Sequence, residues 1–274
     1  MKTWLITGVA GGLGLAVAEL ALARGDRVIG TVRQESQRLA FAARHPDARG
    51  VLLDIAEHGA VRQVVEQVQA HWGAIDILLN NAGYAYEIPV EEAALAEVRR
   101  LFEVNVLGTL AVTQAVLPLM RARRAGHILT VSSVGGLVPL PGLGIYNGSK
   151  FALEGMFAAL AREVAQFGVK VTLVEPGMLR TGWDGRSMLR GEQRLADYAA
   201  PFAAIRRSRL ARHGKQPGDP HKAALAILAA VDAPLAPAHL LLGRDALAYA
   251  QFRNDELARE FRLWSALSKS VHVE

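Results

Sequence analysis

The chain has 274 residues, 51% hydrophobic and 21% charged, with a formal charge of +5. These proportions fit a soluble globular protein with a large core, and no apolar run reaches the roughly 18 residues of a membrane span. With no cysteine, disulfides, thiol catalysis and cysteine-ligated metals are excluded.

The N-terminus, "MKTWLITG", enters strand-like sequence at once. It lacks the apolar segment and cleavage site of a signal peptide, so the expected location is cytoplasmic. The basic balance admits nucleic acid, membrane or anionic ligands as partners. The arginines are nevertheless dispersed. The tightest groups, Arg121, Arg123 and Arg124 and then Arg206, Arg207, Arg209 and Arg212, lack interleaved aromatics, so a solvated surface is expected and no nucleic acid.

In chain order, "TWLIT" (3–7) reads as a strand and 12–25 as a helix ended by Gly25. "RVIGTV" (27–32) is a second strand, 35–44 a helix and "GVLLD" (50–54) a third strand. Val61, Val64, Val65 and Val68 give 57–72 a helical spacing. "IDILLNNAG" (75–83) is a fourth strand, followed by two helical stretches at 91–104 and 106–123. "GHILTVSS" (126–133) is a fifth strand, 146–168 a long helix and "VKVTLVEPG" (169–177) a sixth strand. After a less periodic segment, 178–218, come a helix at 219–234 with Pro220 in its first turn, a seventh strand at 238–243 and a helical tail, 244–274. Strands and helices alternate, and the strands are nearly continuous in apolar residues. That pattern predicts one doubly wound α/β domain over 1–274, with about seven parallel strands and helices on both faces. Segment 178–218 reads as an insertion over the substrate.

The first strand runs into "TGVAGGLG", Thr7 to Gly14. Glycine permits backbone angles that other residues avoid and lets a phosphate approach. The new helix offers free N–H groups to an anion. At the first β–α junction, this is the expected seat of a dinucleotide pyrophosphate. An acidic residue ending the second strand would hold the ribose of NAD, whereas an arginine favours the 2′-phosphate of NADP. Here Val32 is neutral and Arg33 follows, with Glu35 nearby; NADP(H) is favoured over NAD(H). Asp54 has two readings, a contact to the adenine and a cap for the next helix.

These motifs together resemble the classical short-chain dehydrogenases/reductases over about residues 3–243. The resemblance rests on TGxxxGxG at 7–14, Asp54, "NNAG" at 80–83, "NVLG" at 105–108, "SS" at 132–133, "YNGSK" at 146–150 and "PGMLRT" at 176–181, in order. The text "VEPGMLRTGW" is also similar to a 17β-hydroxysteroid dehydrogenase-like subgroup. The resemblance implies a Rossmann-type fold and the catalytic residues Asn105, Ser133, Tyr146 and Lys150. Ser133 is chosen over Ser132 because it precedes Tyr146 by the family's spacing. The implied cofactor residues are Thr7, Gly8, Gly12, Leu13, Gly14, Arg33, Asp54, Ile55, Asn81, Ala82, Gly83, Tyr146, Lys150, Pro176, Gly177 and Thr181. The resemblance also implies a homodimer or homotetramer, assembled through the helix carrying Tyr146, which bears Phe151, Leu153, Met156 and Phe157.

Residues i and i+4 share a helix face, so Tyr146 and Lys150 point the same way. An adjacent ammonium stabilises phenolate and is expected to lower the tyrosine pKa. Tyr146 then acts as proton donor to a carbonyl, or acceptor from an alcohol, beside hydride transfer. Ser133 donates a hydrogen bond to the substrate oxygen, and Asn105 positions a water linking Lys150 to solvent. Candidate substrate contacts are Ser133, Val134, Leu140, Leu143, Tyr146, Met178 and Trp183, with Tyr86, Met188 and Tyr198 further out; the Trp and Met residues equally suit an ordinary core. Gly177, Gly182 and Gly185 suggest a moving lid. Arg186, Arg190 and Arg194 recur every four residues as a helical stripe, either facing an anionic substrate group or solvent. The histidines show no HxxxH or HxH spacing, so no metal is expected. Two other classes stand beside this one: a cofactor-binding sensor without catalysis, and an epimerase or dehydratase, which would need more chain after residue 243.

Overall fold

Alternating apolar side chains on the first strand divide the molecule into two cores. The computed structural model describes residues 1–273. Its first half runs β1 (Thr3–Thr7), α1 (Gly12–Ala23), β2 (Arg27–Val32), α2 (Glu35–Arg44), β3 (Arg49–Leu52), α3 (His58–Trp72) and β4 (Ile77–Asn80). On β1, Trp4 and Ile6 face α1 with Val17 and Ala18, while Leu5 faces the opposite layer with Val61 and Val65 of α3. Burying both faces of a strand in this way requires helices above and below the sheet.

The chain continues with β5 (Ala85–Glu87), α4 (Leu95–Phe102), α5 (Thr109–Arg123), β6 (Gly126–Val131), α6 (Gly144–Val164) and β7 (Val169–Pro176). Then come α7 (Trp183–Arg186), β8 (Met188–Arg190), α8 (Ala196–Arg212), α9 (Pro220–Asp232), β9 (His239–Leu242), α10 (Arg244–Leu263) and α11 (Ser265–Lys269). The central sheet has seven parallel strands in the order β3-β2-β1-β4-β6-β7-β9. Helices α1 and α9 pack on one face, and α3, α5 and α6 on the other. The chain reverses direction of travel between β1 and β4, and doubly wound sheets bind ligands at that switch, outside the C-terminal strand ends.

Two departures from the sequence expectation matter for the site. The stretches expected at 91–104 and 106–123 join into one helix through a π-helical turn, Glu103–Gly108. A π-turn inserts a residue into the helical repeat, so the apolar periodicity resets and reads as a break. The joined helix, Leu95–Arg123, is long and apolar enough by length and composition to cross a membrane, with mean hydropathy 1.4. Half of that apolar window is buried, with Val112, Val116 and Met120 packed against the sheet.

The second departure lies in the insertion, where β8 pairs in parallel with β5 to make a separate two-stranded sheet. A bridge between Leu179 and Gly218 closes its base. This breaks the expected arginine stripe. Arg190 sits on β8 and Arg194 lies beyond it, while the Arg186 side chain falls outside the described residues.

Candidate active site

The glycine turn is bolted to the neighbouring strand by side chains of the "NNAG" segment. Thr7 Oγ1 accepts from the backbone N–H groups of Asn81 (2.9 Å) and Ala82 (3.0 Å). Asn81 Nδ2 donates to the carbonyls of Thr7 and Gly8, both at 2.9 Å. Gly8 holds φ +77°, and a Cβ on Gly14 would stand 2.4 Å from Asn81 Nδ2; both positions need glycine. Gly11, the N-cap of α1, gives no side-chain hydrogen bond, which leaves the first helical N–H groups available to an anion. Thr181 also arrives here, 3.6 Å from where a Gly12 Cβ would be. This cradle fits a dinucleotide pyrophosphate. Leu13 and Ile55 turn their side chains into the two cores, so only their backbone can face a ligand.

At the end of β2, Val32 is buried and Arg33 is exposed. Glu35 is occupied by Arg38, whose Nε lies 2.8 Å from Glu35 Oε2, and so does not neutralise Arg33. Asp54 Oδ1 accepts from Ala56 N at 3.1 Å, a local turn rather than the expected helix cap, since α3 starts at His58 with Glu57 at its N-cap and no side-chain capping bond. Pro176 ends β7 and Gly177 follows it, where a Cβ would collide with the Asp245 carboxylate at 2.4 Å. Asp245 Oδ2 accepts from Met178 N at 2.7 Å. Asp245, in the first turn of α10, therefore shapes the turn after β7. Sequence reading passed it over, its only signal being an acid opening a tail helix.

Asn105, Ser133 and the pair Tyr146 and Lys150 of α6 come from three separate segments. Asn105 lies in the π-turn, fully buried. Its Oδ1 accepts from Tyr84 N (3.0 Å), and its Nδ2 donates to Tyr84 O (2.8 Å) and Ser149 Oγ (3.1 Å). Both amide hydrogens are thus engaged, so the side chain pins the loop after "NNAG" and does not present a free amide to water. A Cβ on Gly83 would stand 3.0 Å from Asn105 Oδ1 and 3.8 Å from Lys150 Nζ, which packs these motifs into one cluster.

Ser133 caps the short turn Val134–Gly136 by accepting from Gly135 N at 3.0 Å, and it borders the same space as Tyr146, since a Cβ on Gly135 would stand 3.4 Å from Ser133 Oγ and 3.5 Å from the Tyr146 ring. Lys150 Nζ donates to Val131 O at 2.8 Å and lies 5.7 Å from the Tyr146 ring centroid. Burial pushes Tyr146 up to about 12, opposed by the neighbouring Ser133 hydroxyl. Burial pushes Lys150 down to about 8, opposed by the Glu154 carboxylate. The expected lowering of Tyr146 by Lys150 is therefore corrected. The ammonium is directed to a backbone carbonyl over the ring, and desolvation of the phenol dominates.

Tyr146 packs with Ala85, Leu143 and Met188, flanked by Leu140 and Trp183; the Trp183 ring lies 5.5 Å away, centroid to centroid. Leu140, Leu143, Trp183 and Met188 are thus brought to the tyrosine. Tyr86 is not, because it belongs to a neighbouring cluster with Ile88 and Leu101. Tyr198 is not either; its hydroxyl donates to Glu91 at 2.8 Å on the surface. Val134 is buried beside Ser133, and Met178 is half-buried at the turn held by Asp245.

The insertion is anchored at Glu87 of β5, which is fully buried. Its carboxylate meets Arg209 (2.7 Å) and Arg206 (3.0 Å) of α8, and Arg190 of β8 (3.4 Å). The wall over Tyr146 thus hangs on one acid and three arginines, a latch that the expected glycine hinges did not suggest.

Residues 2–189 match the model of a family described as short chain dehydrogenase. The chain is 38% identical to the oxidoreductase BOA17 of Botryotinia fuckeliana, across 97% of this chain and 98% of that protein. It is 34% identical to an NADPH-dependent 3-dehydrocapnine reductase of Ornithobacterium rhinotracheale, across 75% of each. A crystal structure of a short-chain dehydrogenase from Streptomyces avermitilis superposes with a TM-score of 0.92 at 37% identity, covering 99% of this chain and 98% of that one.

Proposed function

The chain belongs to the short-chain dehydrogenase family, and we propose that it uses NADP(H) to interconvert a carbonyl and an alcohol on a small apolar substrate, with Tyr146 as general acid and base. Family membership makes it an oxidoreductase acting on CH–OH or C=O groups with a nicotinamide cofactor. The observation that carries the finer reading is a buried Tyr146 with the Ser133 hydroxyl beside it, Lys150 over the ring and an apolar wall alongside.

When bound at the glycine turn, the cofactor supplies or takes the hydride. The chain's own residues handle the proton. A phenol near pKa 12 is fully protonated at neutral pH and still far more acidic than an alcohol, so it can transfer its proton to a developing alkoxide. Ser133 donates to the same oxygen as charge builds. Lys150, at about 8, holds a proton close to Tyr146 and exchanges it near working pH. Leu140, Leu143, Trp183 and Met188 exclude water and suit an apolar substrate body.

Arg33 favours NADPH. It is exposed at the end of β2 and forms no ion pair among the described residues, and Glu35 is held by Arg38. A guanidinium matches a phosphate in charge and geometry. The relative described as NADPH-dependent points the same way. The same reading makes the protein a homodimer or homotetramer, since Phe151 of α6 stands 44% exposed while Leu153 and Phe157 face inward.

The test follows NADPH and NADH oxidation with aldehydes, ketones, quinones and steroid ketones, using wild type, Tyr146→Phe and Arg33→Asp. Tyr146→Phe should lower kcat at least about a hundredfold while NADPH still binds; retained turnover would remove the proton-donor role. Arg33→Asp should weaken NADPH by about tenfold or more and leave NADH nearly unchanged. Equal losses would remove the NADP preference.

A further inference from the structure

One helical turn beyond Lys150, away from the substrate wall, three ligand-type side chains converge from three elements. Glu154 of α6, Glu175 of β7 and His239 of β9 each present a donor atom, all within 4.8 Å of one another. His239 Nδ1 lies 2.6 Å from Glu175 Oε1 and 3.7 Å from Glu154 Oε2. Glu175 is fully buried and Glu154 is 8% exposed. Glu175 Oε2 and both Glu154 oxygens nevertheless lack a hydrogen bond of normal geometry. Ser132, 2% exposed, adds a hydroxyl that is likewise unpartnered in geometry, though close enough to steady the Glu154 carboxylate. A Cβ on Gly136 would stand 2.5 Å from Ser132 Oγ and 3.1 Å from Glu154 Oε1, so both groups border the same small space.

We propose that Glu154, Glu175 and His239, backed by Ser132, form a binding site for a divalent transition-metal cation of the zinc class. Buried carboxylate oxygens without donors are costly unless a proton or cation joins them. Two carboxylates and a neutral imidazole match a charge of 2+. A mixed nitrogen and oxygen donor set selects zinc, cobalt or manganese over magnesium or calcium, which prefer oxygen alone.

Metal–ligand bonds of about 2.0–2.2 Å place ligand atoms on one ion within about 4 Å of each other. The observed spread needs only small side-chain rotations to reach that. The two strands and the helix that carry the ligands are rigid, which favours a defined site. The His239 side chain is 47% exposed on the edge strand and gives an ion a way in. On binding, His239 Nδ1 gives up its bond to Glu175 and offers its lone pair, with Nε2 left to solvent. None of these residues acts on substrate in the proposed reaction, so the site stands or falls independently of it.

The test is calorimetric titration of chelator-treated protein with Zn2+, beside His239→Gln and Glu175→Gln, with Co2+ absorption as a second probe. The eight histidines make weak background binding certain, so the difference between proteins is the readout. Wild type should bind one equivalent, and each variant should lose at least about tenfold in affinity. Ca2+ and Mg2+ at equal concentration should not compete. His239→Gln alters a half-exposed side chain and so keeps the test valid if Glu175→Gln fails to fold. Identical Zn2+ isotherms for wild type and His239→Gln, or no stoichiometric binding by folded wild type, would overturn the site.

Discussion

Burial shifts Tyr146 and Lys150 in opposite directions, and that opposition sets the pH response of the site. The charged form is disfavoured in each case, which raises the phenol to about 12 and lowers the ammonium to about 8. Between these values Tyr146 keeps its proton while Lys150 loses its own. The reductive direction needs a proton held beside Tyr146, so kcat/KM for reduction should fall as pH rises through about 8. Lys150→Arg, whose guanidinium does not deprotonate in this range, should remove that inflection, with cofactor binding followed by fluorescence in both proteins. A wild-type profile flat well above pH 8 would contradict the assignment. The pair itself was legible in "YNGSK", because four-residue spacing fixes one helix face. The direction of the Tyr146 shift was not, because Trp183 and Met188, which help desolvate it, lie far along the chain.

At the scale of elements, the wall over Tyr146 depends on a charge cluster that no local pattern announces. Glu87 lies within a three-residue strand, and its three arginines come from β8 and α8. Removing one partner from a buried ion cluster typically costs about 3–5 kcal/mol; the arginines are partly exposed, which places Glu87→Gln toward the lower end. Its expected effect is local. Protease should cut within 178–218 faster than in wild type while the central sheet stays folded, as read by limited proteolysis and circular dichroism. Unchanged cleavage there would show that the β5–β8 pair holds the wall unaided. The long sheet strands were readable because each is a near-continuous apolar run. The β5–β8 pair was not, since three-residue strands carry no period of their own. The π-turn escaped for a related reason, as its extra residue looks like a gap between two helices even though it is what carries Asn105.

For the molecule as a whole, acid stability should be governed in part by a histidine outside the active site. His127 of β6 is 2% exposed, and its Nε2 is 2.8 Å from Thr172 Oγ1. The Thr172 hydroxyl itself donates to Pro237 O at 2.6 Å, so His127 must donate from Nε2, which leaves Nδ1 as a bare acceptor. Nδ1 is buried with no partner, and a second proton there would find no acceptor. Burial accordingly pushes His127 down to about 4, helped by Lys170 and Lys2. The folded pKa lies below the unfolded value of about 6.5, so the unfolded chain binds more protons as pH falls. Stability is intact above about 6.5 and declines as pH drops toward about 4. The shift corresponds to roughly 3 kcal/mol over that window. Urea unfolding of wild type and His127→Gln at a series of pH values isolates this contribution, because the carboxylates titrate alike in both proteins. Wild type should lose about that much more stability than the variant between neutral pH and pH 4. Parallel curves would mean that the folded protein accepts a proton on His127, which the closed Thr172–Pro237 contact gives it no means to stabilise.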